Sequence, residues 1–214
     1  MSLLLDHVAL FCEPLAHREL AELEQAGFCA DSGRKHDGQG TSNRVVLFEP
    51  NYLELIWIDE PHVAETNPLR LNERYALANG ALSGVGLRHE GKHSDLVADW
   101  TPYYLKGFTL GHLRVRPDTF EDPALPLIFA MVLDDGSDLQ PPSQTHPSAL
   151  FSHPCGATGL SSLTLVGPGF GQLSREGVPP SVEFSEGLDR RLEIVLNDAP
   201  ALRGIAIGAH ATLI

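Results

Sequence analysis

The sequence predicts an α+β fold of paired βαβββ modules followed by a β-rich carboxy-terminal extension, and three patterns carry that reading. From Leu3 to Ile58 the chain runs strand, helix, loop, strand, turn, strand. A strand-helix order returns from Leu82, as a duplicated unit would require. Beyond Gly159 short apolar runs are separated by Gly and Pro, with no helical periodicity between them. A chain of 214 residues suits one large domain or two similar halves. The expected division is a first module with its linker over 1–80, and a divergent second module with a proline-rich loop and the extension over 81–214.

Leu3 to Phe11 alternates apolar and polar residues only in part but is β-compatible. Over Pro14 to Ala26, Leu15, Leu20 and Leu23 fall near helical spacing, and Gly27 stands where a helix ends in a left-handed turn. Asp31 to Gly40 has three glycines among charged residues and predicts a solvent-facing loop or wide hairpin. RVVLF and YLELIWI, joined by Glu49 to Asn51, predict a hairpin; the second run is too apolar for an exposed edge, so Ile56 and Trp57 should pack against other layers. His62 to Ala81 is a linker with helical pieces. Leu82 to Arg88 reads as a strand, Ser94 as the N-cap of a helix over DLVADWTPYYL, and Leu110 to Arg116 and Leu125 to Leu133 as strands. Asp134 to Gly159 predicts an ordered loop crossing the surface. LSSLTLV, SVEFS, RLEIVL and GIAIGA predict strands that extend or complete a sheet begun earlier.

The net charge of −13 argues against nucleic acid or an anionic membrane as partner, because such a surface repels phosphate before specific contacts form. Cys12, Cys29 and Cys155 lack CxxC spacing and read as reduced thiols. The first residues do not resemble a signal peptide, and no apolar run approaches the ~20 residues of a membrane span. A cytoplasmic protein is the expectation. P-loop, GxSxG and HExxH motifs are absent, and GPGFGQ follows no βαβ context, which leaves it weak as a dinucleotide fingerprint.

The most informative pair is His7, in LLDHVALF, with Glu54, in NYLELIWI. Alternation puts Leu53 and Leu55 on one face and Glu54 on the other. A carboxylate amid an apolar strand is costly to bury unless paired or bound to a cation; the alternative is a solvated sheet face. LDHVALF, LAELEQAGF, GQGTSNRVVLF and YLELI together resemble the amino-terminal half of a glyoxalase-like protein of the vicinal oxygen chelate superfamily.

The resemblance implies two modules whose curled sheets enclose a cavity, with His7 and Glu54 as ligands of a divalent metal (Mn, Fe, Ni or Zn) and Glu54 also catalytic. It implies an enzyme of the lyase, isomerase or dioxygenase type acting on a small oxygenated molecule, or else a metal-free protein that sequesters a small molecule; a homodimer suits related folds. The second module departs from the pattern. Gly84 stands opposite His7 in the alignment, and LPLIFAMVL has no interior carboxylate. A further ligand or acid-base group is therefore expected from His153, on a loop folding over the cavity mouth, then from His112 or Glu193. Thr41 and Asn43 either hydrogen-bond a ligand or serve ordinary turn chemistry. The loop around Arg34, Lys35 and His36 either steers an anionic substrate or is a solvated tip. His17, His36, His62 and His210 are expected to be solvated.

Overall fold

The computed structural model describes residues 2–78, 82–90, 94–199, 206–207 and 211–214. In chain order the elements are β1 (Ser2–Phe11), α1 (His17–Gln25), β2 (Lys35–His36), β3 (Thr41–Leu47), β4 (Tyr52–Ile58), α2 (Pro61–Thr66), α3 (Leu71–Ala78), β5 (Leu82–Glu90), β6 (Thr101–Tyr103), β7 (Gly111–Val115), α4 (Pro117–Glu121), β8 (Leu127–Leu133) and α5 (Pro142–Thr145). The carboxy-terminal part adds β9 (Gly159–Gly167), β10 (Val182–Glu186), β11 (Arg191–Asn197), β12 (Ala206–Ile207) and β13 (Ala211–Leu213). The fold is α+β.

Eight strands form one curled mixed sheet in the order β2-β3-β4-β1-β5-β8-β7-β6. The order is symmetric about its centre. β1 pairs antiparallel with β5, and each pairs on its other side with a parallel neighbour, β4 or β8. Val8 opposes Val85, so exchanging the halves about that pair carries His7 onto Gly84 and Ala9 onto Gly86. Glu54, beside Ala9, is thereby carried onto Phe129, beside Gly86.

β1 does not alternate strictly, and the reason is a bulge. The register against β5 shifts between Leu5 and His7. Leu3 and Leu5 lie in one apolar cluster, and so do Val8 and Leu10, although strict alternation would put the two pairs on opposite faces. The inserted residue returns Val8 to the convex face. It leaves His7, with Ala9, lining the concave one.

The convex face is covered by α1 and by a second sheet, ordered β10-β9-β11-β13-β12. Leu53, Leu55, Trp57, Val85, Leu87 and Ile128 from the first sheet share one core with Leu163, Leu165, Leu192 and Ile194 from the second. Two buried hydrogen bonds clamp the layers: the Asn51 amide donates to the Leu160 carbonyl at 2.9 Å and accepts from the Leu160 N–H at 2.8 Å. Burial in this core holds the Cys12 thiol protonated, with its pKa pushed well up. Ile56 turns to the other face, in a cluster with Phe11, Leu113, Val115 and Leu127. The linker is anchored by Arg74, whose buried guanidinium donates to carbonyls of Leu69, Thr119 and Leu125.

Two expectations are corrected. The helix over DLVADWTPYYL is instead a 3-10 turn, Ser94–Val97, and the short strand β6. Pro102 disfavours helix at the residue before it and cannot donate to a ladder, which suits the outermost strand β6. The carboxy-terminal strands do not extend the first sheet. Among the described residues no long helix follows β5, and the second sheet packs on the convex face against residues of both halves. Of the GIAIGA run only Ala206 and Ile207 are described; the remainder and His210 lie outside the described residues.

Candidate active site

The concave face of the first sheet lines a cavity of about 330 Å³. His7, Tyr52 and Glu54 form its polar floor, while Ile56, Leu113, Leu127, Phe129 and Met131 supply apolar wall. His7 is 8% exposed and Glu54 7%, so neither is on a solvated sheet face. Their side chains converge, with His7 Nε2 3.8 Å from Glu54 Oε2.

Neighbours on three strands fix that pair. Asp6, brought to the ring of His7 by the bulge, has Oδ2 2.8 Å from His7 Nδ1. Nδ1 consequently donates to Asp6, and Nε2 is the ring atom that faces Glu54. Tyr52 stacks on the imidazole at 4.4 Å between ring centres. Gly86 leaves room for it: a Cβ there would lie 2.1 Å from His7 Cε1. Burial, then the carboxylates of Asp6 and Glu54, hold the Tyr52 phenol protonated well above its usual range.

Glu54 is held from the other side. Asn43 donates from Nδ2 to Glu54 Oε1 at 2.5 Å and accepts the Arg34 backbone N–H on Oδ1 at 2.7 Å. His36 brings Nε2 to 3.5 Å from Glu54 Oε1, and its Nδ1 is 2.9 Å from Thr41 Oγ1. Burial lowers the His36 pKa, and Arg34 and His7 lower it further against the pull of Glu54. The hairpin carrying His36 closes through Gly40, at φ +74°, where a Cβ would meet the Ala64 nitrogen at 2.4 Å.

The expected solvation of His36 is thus corrected: the loop folds back over the sheet and buries the ring beside Glu54. Its position in a polar, glycine-rich stretch concealed this. Thr41 and Asn43 hold His36 and Glu54. The three candidates for a further ligand do not reach the cavity. His153 lies behind the sheet against Phe28 and Phe48, where its Nδ1 accepts the Cys29 N–H at 3.1 Å and its Nε2 donates to the Leu47 carbonyl at 2.9 Å. Both nitrogens are spent on backbone. His112 points away from Leu113 and Val115, which line the cavity, and pairs with Asp134 at 3.1 Å. Glu193 belongs to the second sheet and pairs with Arg191. The proline-rich loop does reach the concave side, but through Leu139, Gln140, Pro142 and His146, which line an adjoining cavity of about 280 Å³ with Asp6, Asn43 and Tyr52.

Among the described residues no group of three or more His, Cys, Asp or Glu is arranged to hold a metal ion. No helix of the described residues is long and apolar enough to cross a membrane.

A glyoxalase-like domain model matches residues 5–178, a span that takes in the first sheet from Leu5 onward and the first strand of the second. The chain belongs to the glyoxalase-like domain family. In overall shape this glyoxalase-like chain is similar to a hypothetical protein from Staphylococcus aureus, at 11% identity and a TM-score of 0.60, over 100% of this chain and 99% of that one. Methylmalonyl-CoA epimerase from Streptomyces coelicolor aligns with 61% of the chain and 96% of its own, at 12% identity and a TM-score of 0.44. The epimerase from Mycobacterium tuberculosis aligns with 59% and 85%, at 14% identity and a TM-score of 0.42. No curated protein gives a significant match.

Proposed function

We propose that this glyoxalase-like chain is a divalent-metal-dependent enzyme of the lyase, isomerase or dioxygenase type, acting on a small oxygenated molecule in the concave cavity. The observation that supports it is His7 Nε2 facing the Glu54 carboxylate at 3.8 Å, with Nδ1 engaged by Asp6 on the far side. An imidazole nitrogen and a carboxylate that face each other in a buried site call for a cation or a proton between them. The donor set, one imidazole nitrogen and one carboxylate, fits Mn, Fe, Ni or Zn, and a carboxylate behind the liganding His is the usual supporting partner. His7 and Glu54 would hold the ion, leaving positions open to substrate oxygens. Such an ion polarises a substrate oxygen and stabilises negative charge developing there.

The remaining chemistry belongs to the chain's own side chains. Asn43 holds Oε1 of Glu54 and so fixes which carboxylate oxygen faces His7. With its proton on Nε2, His36 accepts from the Thr41 hydroxyl and turns that proton toward Glu54. As a neutral ring it can offer that N–H as a hydrogen bond to Glu54 or to a substrate oxygen. Ile56, Leu127 and Phe129 exclude water from the floor, which strengthens each of these interactions.

A metal-free sequestering protein is the second reading, favoured by one observation: Gly84 and Phe129 occupy the positions related to His7 and Glu54, so the second half offers no ligand there. Titration calorimetry with Mn²⁺, Ni²⁺ and Zn²⁺ separates the two. One ion per chain, lost in His7→Ala and Glu54→Gln, is expected of the enzyme. Wild-type protein that binds none of the three would leave the sequestering reading.

A further inference from the structure

Arg34 lines both the main cavity and the adjoining one, so it stands where they meet. Its backbone is tied down, the N–H donating to Asn43 Oδ1 at 2.7 Å and the carbonyl accepting the Asn43 N–H at 2.9 Å. Its guanidinium makes no hydrogen bond or ion pair among the described residues. The next residue behaves differently, for Lys35 spends its ammonium on Glu60 at 3.0 Å and Asp59 at 3.8 Å. In a chain of net charge −13, this exposed, unpaired cation at the junction of the two cavities is free to receive an anion.

Beyond the floor the main cavity is apolar, through Leu69, Leu113, Leu127, Phe129 and Met131. A ligand filling this space presents hydrocarbon to that wall and something else to Arg34. One planar guanidinium with five donors suits one planar carboxylate bidentately, whereas a phosphate of higher charge calls for several cations. Lys106, on the facing lip and also unpaired among the described residues, lies against Gly38 through its Cβ and Cδ and adds to the positive potential at the mouth.

We propose that the substrate is an aliphatic or aromatic carboxylate whose hydrocarbon part lies against Phe129 and its neighbours and whose carboxylate is received by Arg34, directly over the His7–Glu54 floor. This rests on the reading of the concave cavity as the substrate site, and it assigns Arg34 as the residue that selects for charge. Lys35 has no direct part.

The test is titration calorimetry of the full chain with two probes of equal length, octanoate and octanamide, at low and high salt. Octanoate is expected to bind about tenfold more tightly than octanamide at low salt, as a charge-assisted contact implies, and to lose most of that margin at high salt. Arg34→Ala should erase the margin while leaving octanamide unchanged, and Lys35→Ala, which removes the same charge from the same loop, should keep it. Phe129→Ala should weaken both probes alike. Equal binding of the two probes to wild type, an undiminished margin in Arg34→Ala, or a loss in Lys35→Ala as large as that in Arg34→Ala overturns the carboxylate assignment and leaves the cavity reading intact. If neither probe binds, or Phe129→Ala affects neither, the cavity reading falls with it, and the ion titration of His7→Ala then stands alone.

Discussion

The two halves of the eight-stranded sheet share one topology and differ in what their equivalent positions carry. In the first half, β1 and β4 place His7 and Glu54 on the concave face; in the second, β5 and β8 place Gly84 and Phe129 there. The connection differs as well, with α1 after β1 and a 3-10 turn after β5, while the second sheet backs strands of both halves. The difference is a division of labour. The second half supplies space and apolar wall, and the polar chemistry gathers in the first. Gly86 shows this at one atom: its missing Cβ is the space in which the His7 ring lies.

Gly86→Ala breaks that arrangement most directly. The added methyl cannot coexist with the imidazole, so His7 must leave Glu54 or β5 must shift. The expected result is a loss of divalent-ion affinity of roughly 100-fold, with about 1–3 kcal/mol of stability from overpacking. Calorimetry and urea unfolding measure the two. Near-normal ion binding would show that His7 does not need its present seat.

Asn51→Ala separates the sheets instead of the halves. It strips both partners from the Leu160 N–H and carbonyl, and the expected cost is about 2–4 kcal/mol in urea unfolding. A cost under ~1 kcal/mol would mean that water or a backbone shift replaces the clamp. Phe129→Glu sharpens the comparison from the other side by restoring a carboxylate at the position related to Glu54, 5.3 Å from the His7 ring as Phe129 now stands. Ion affinity should rise about tenfold, and binding of apolar probes should fall. An unchanged affinity would show that the halves are related in backbone only.

The smallest expected effect is in pH. His153 backs the first half in a neutral form, because Nδ1 must accept from the Cys29 N–H. Burial lowers its pKa below the ordinary 6.5, and the Leu47 carbonyl only partly offsets this. The unfolded chain therefore takes up a proton first as pH falls, so this contribution to stability is whole above pH 6.5 and declines below it. His36 adds in the same direction. Chemical denaturation between pH 5.5 and 7.5 should show the decline, and NMR should find the His153 ring neutral at pH 6. A protonated ring at pH 6 would remove His153 as its source.

The sequence by itself determined the α+β class and the β-α-β-β-β order of the first module, which follow from strand and helix periodicity, and it joined His7 to Glu54 through the resemblance of their motifs to glyoxalase-like proteins. Glu54 was legible since it is the one charged residue in the apolar run YLELIWI, and the face it takes follows from strand parity. Other placements were decided by the tertiary structure. Asp6 and His7 are adjacent on a strand and would point to opposite faces, yet a bulge, which exists only against β5, brings them together. His36 sits in a loop whose sequence looks solvated, and the close approach of Gly40 to α2 folds it onto the sheet. His153 resembled a site residue because its loop is motif-like, but the two backbone groups that satisfy it come from segments more than 100 residues away. Periodicity reports which face a side chain takes within its own strand; it carries no information about partners that only the packing of distant segments brings within 3 Å.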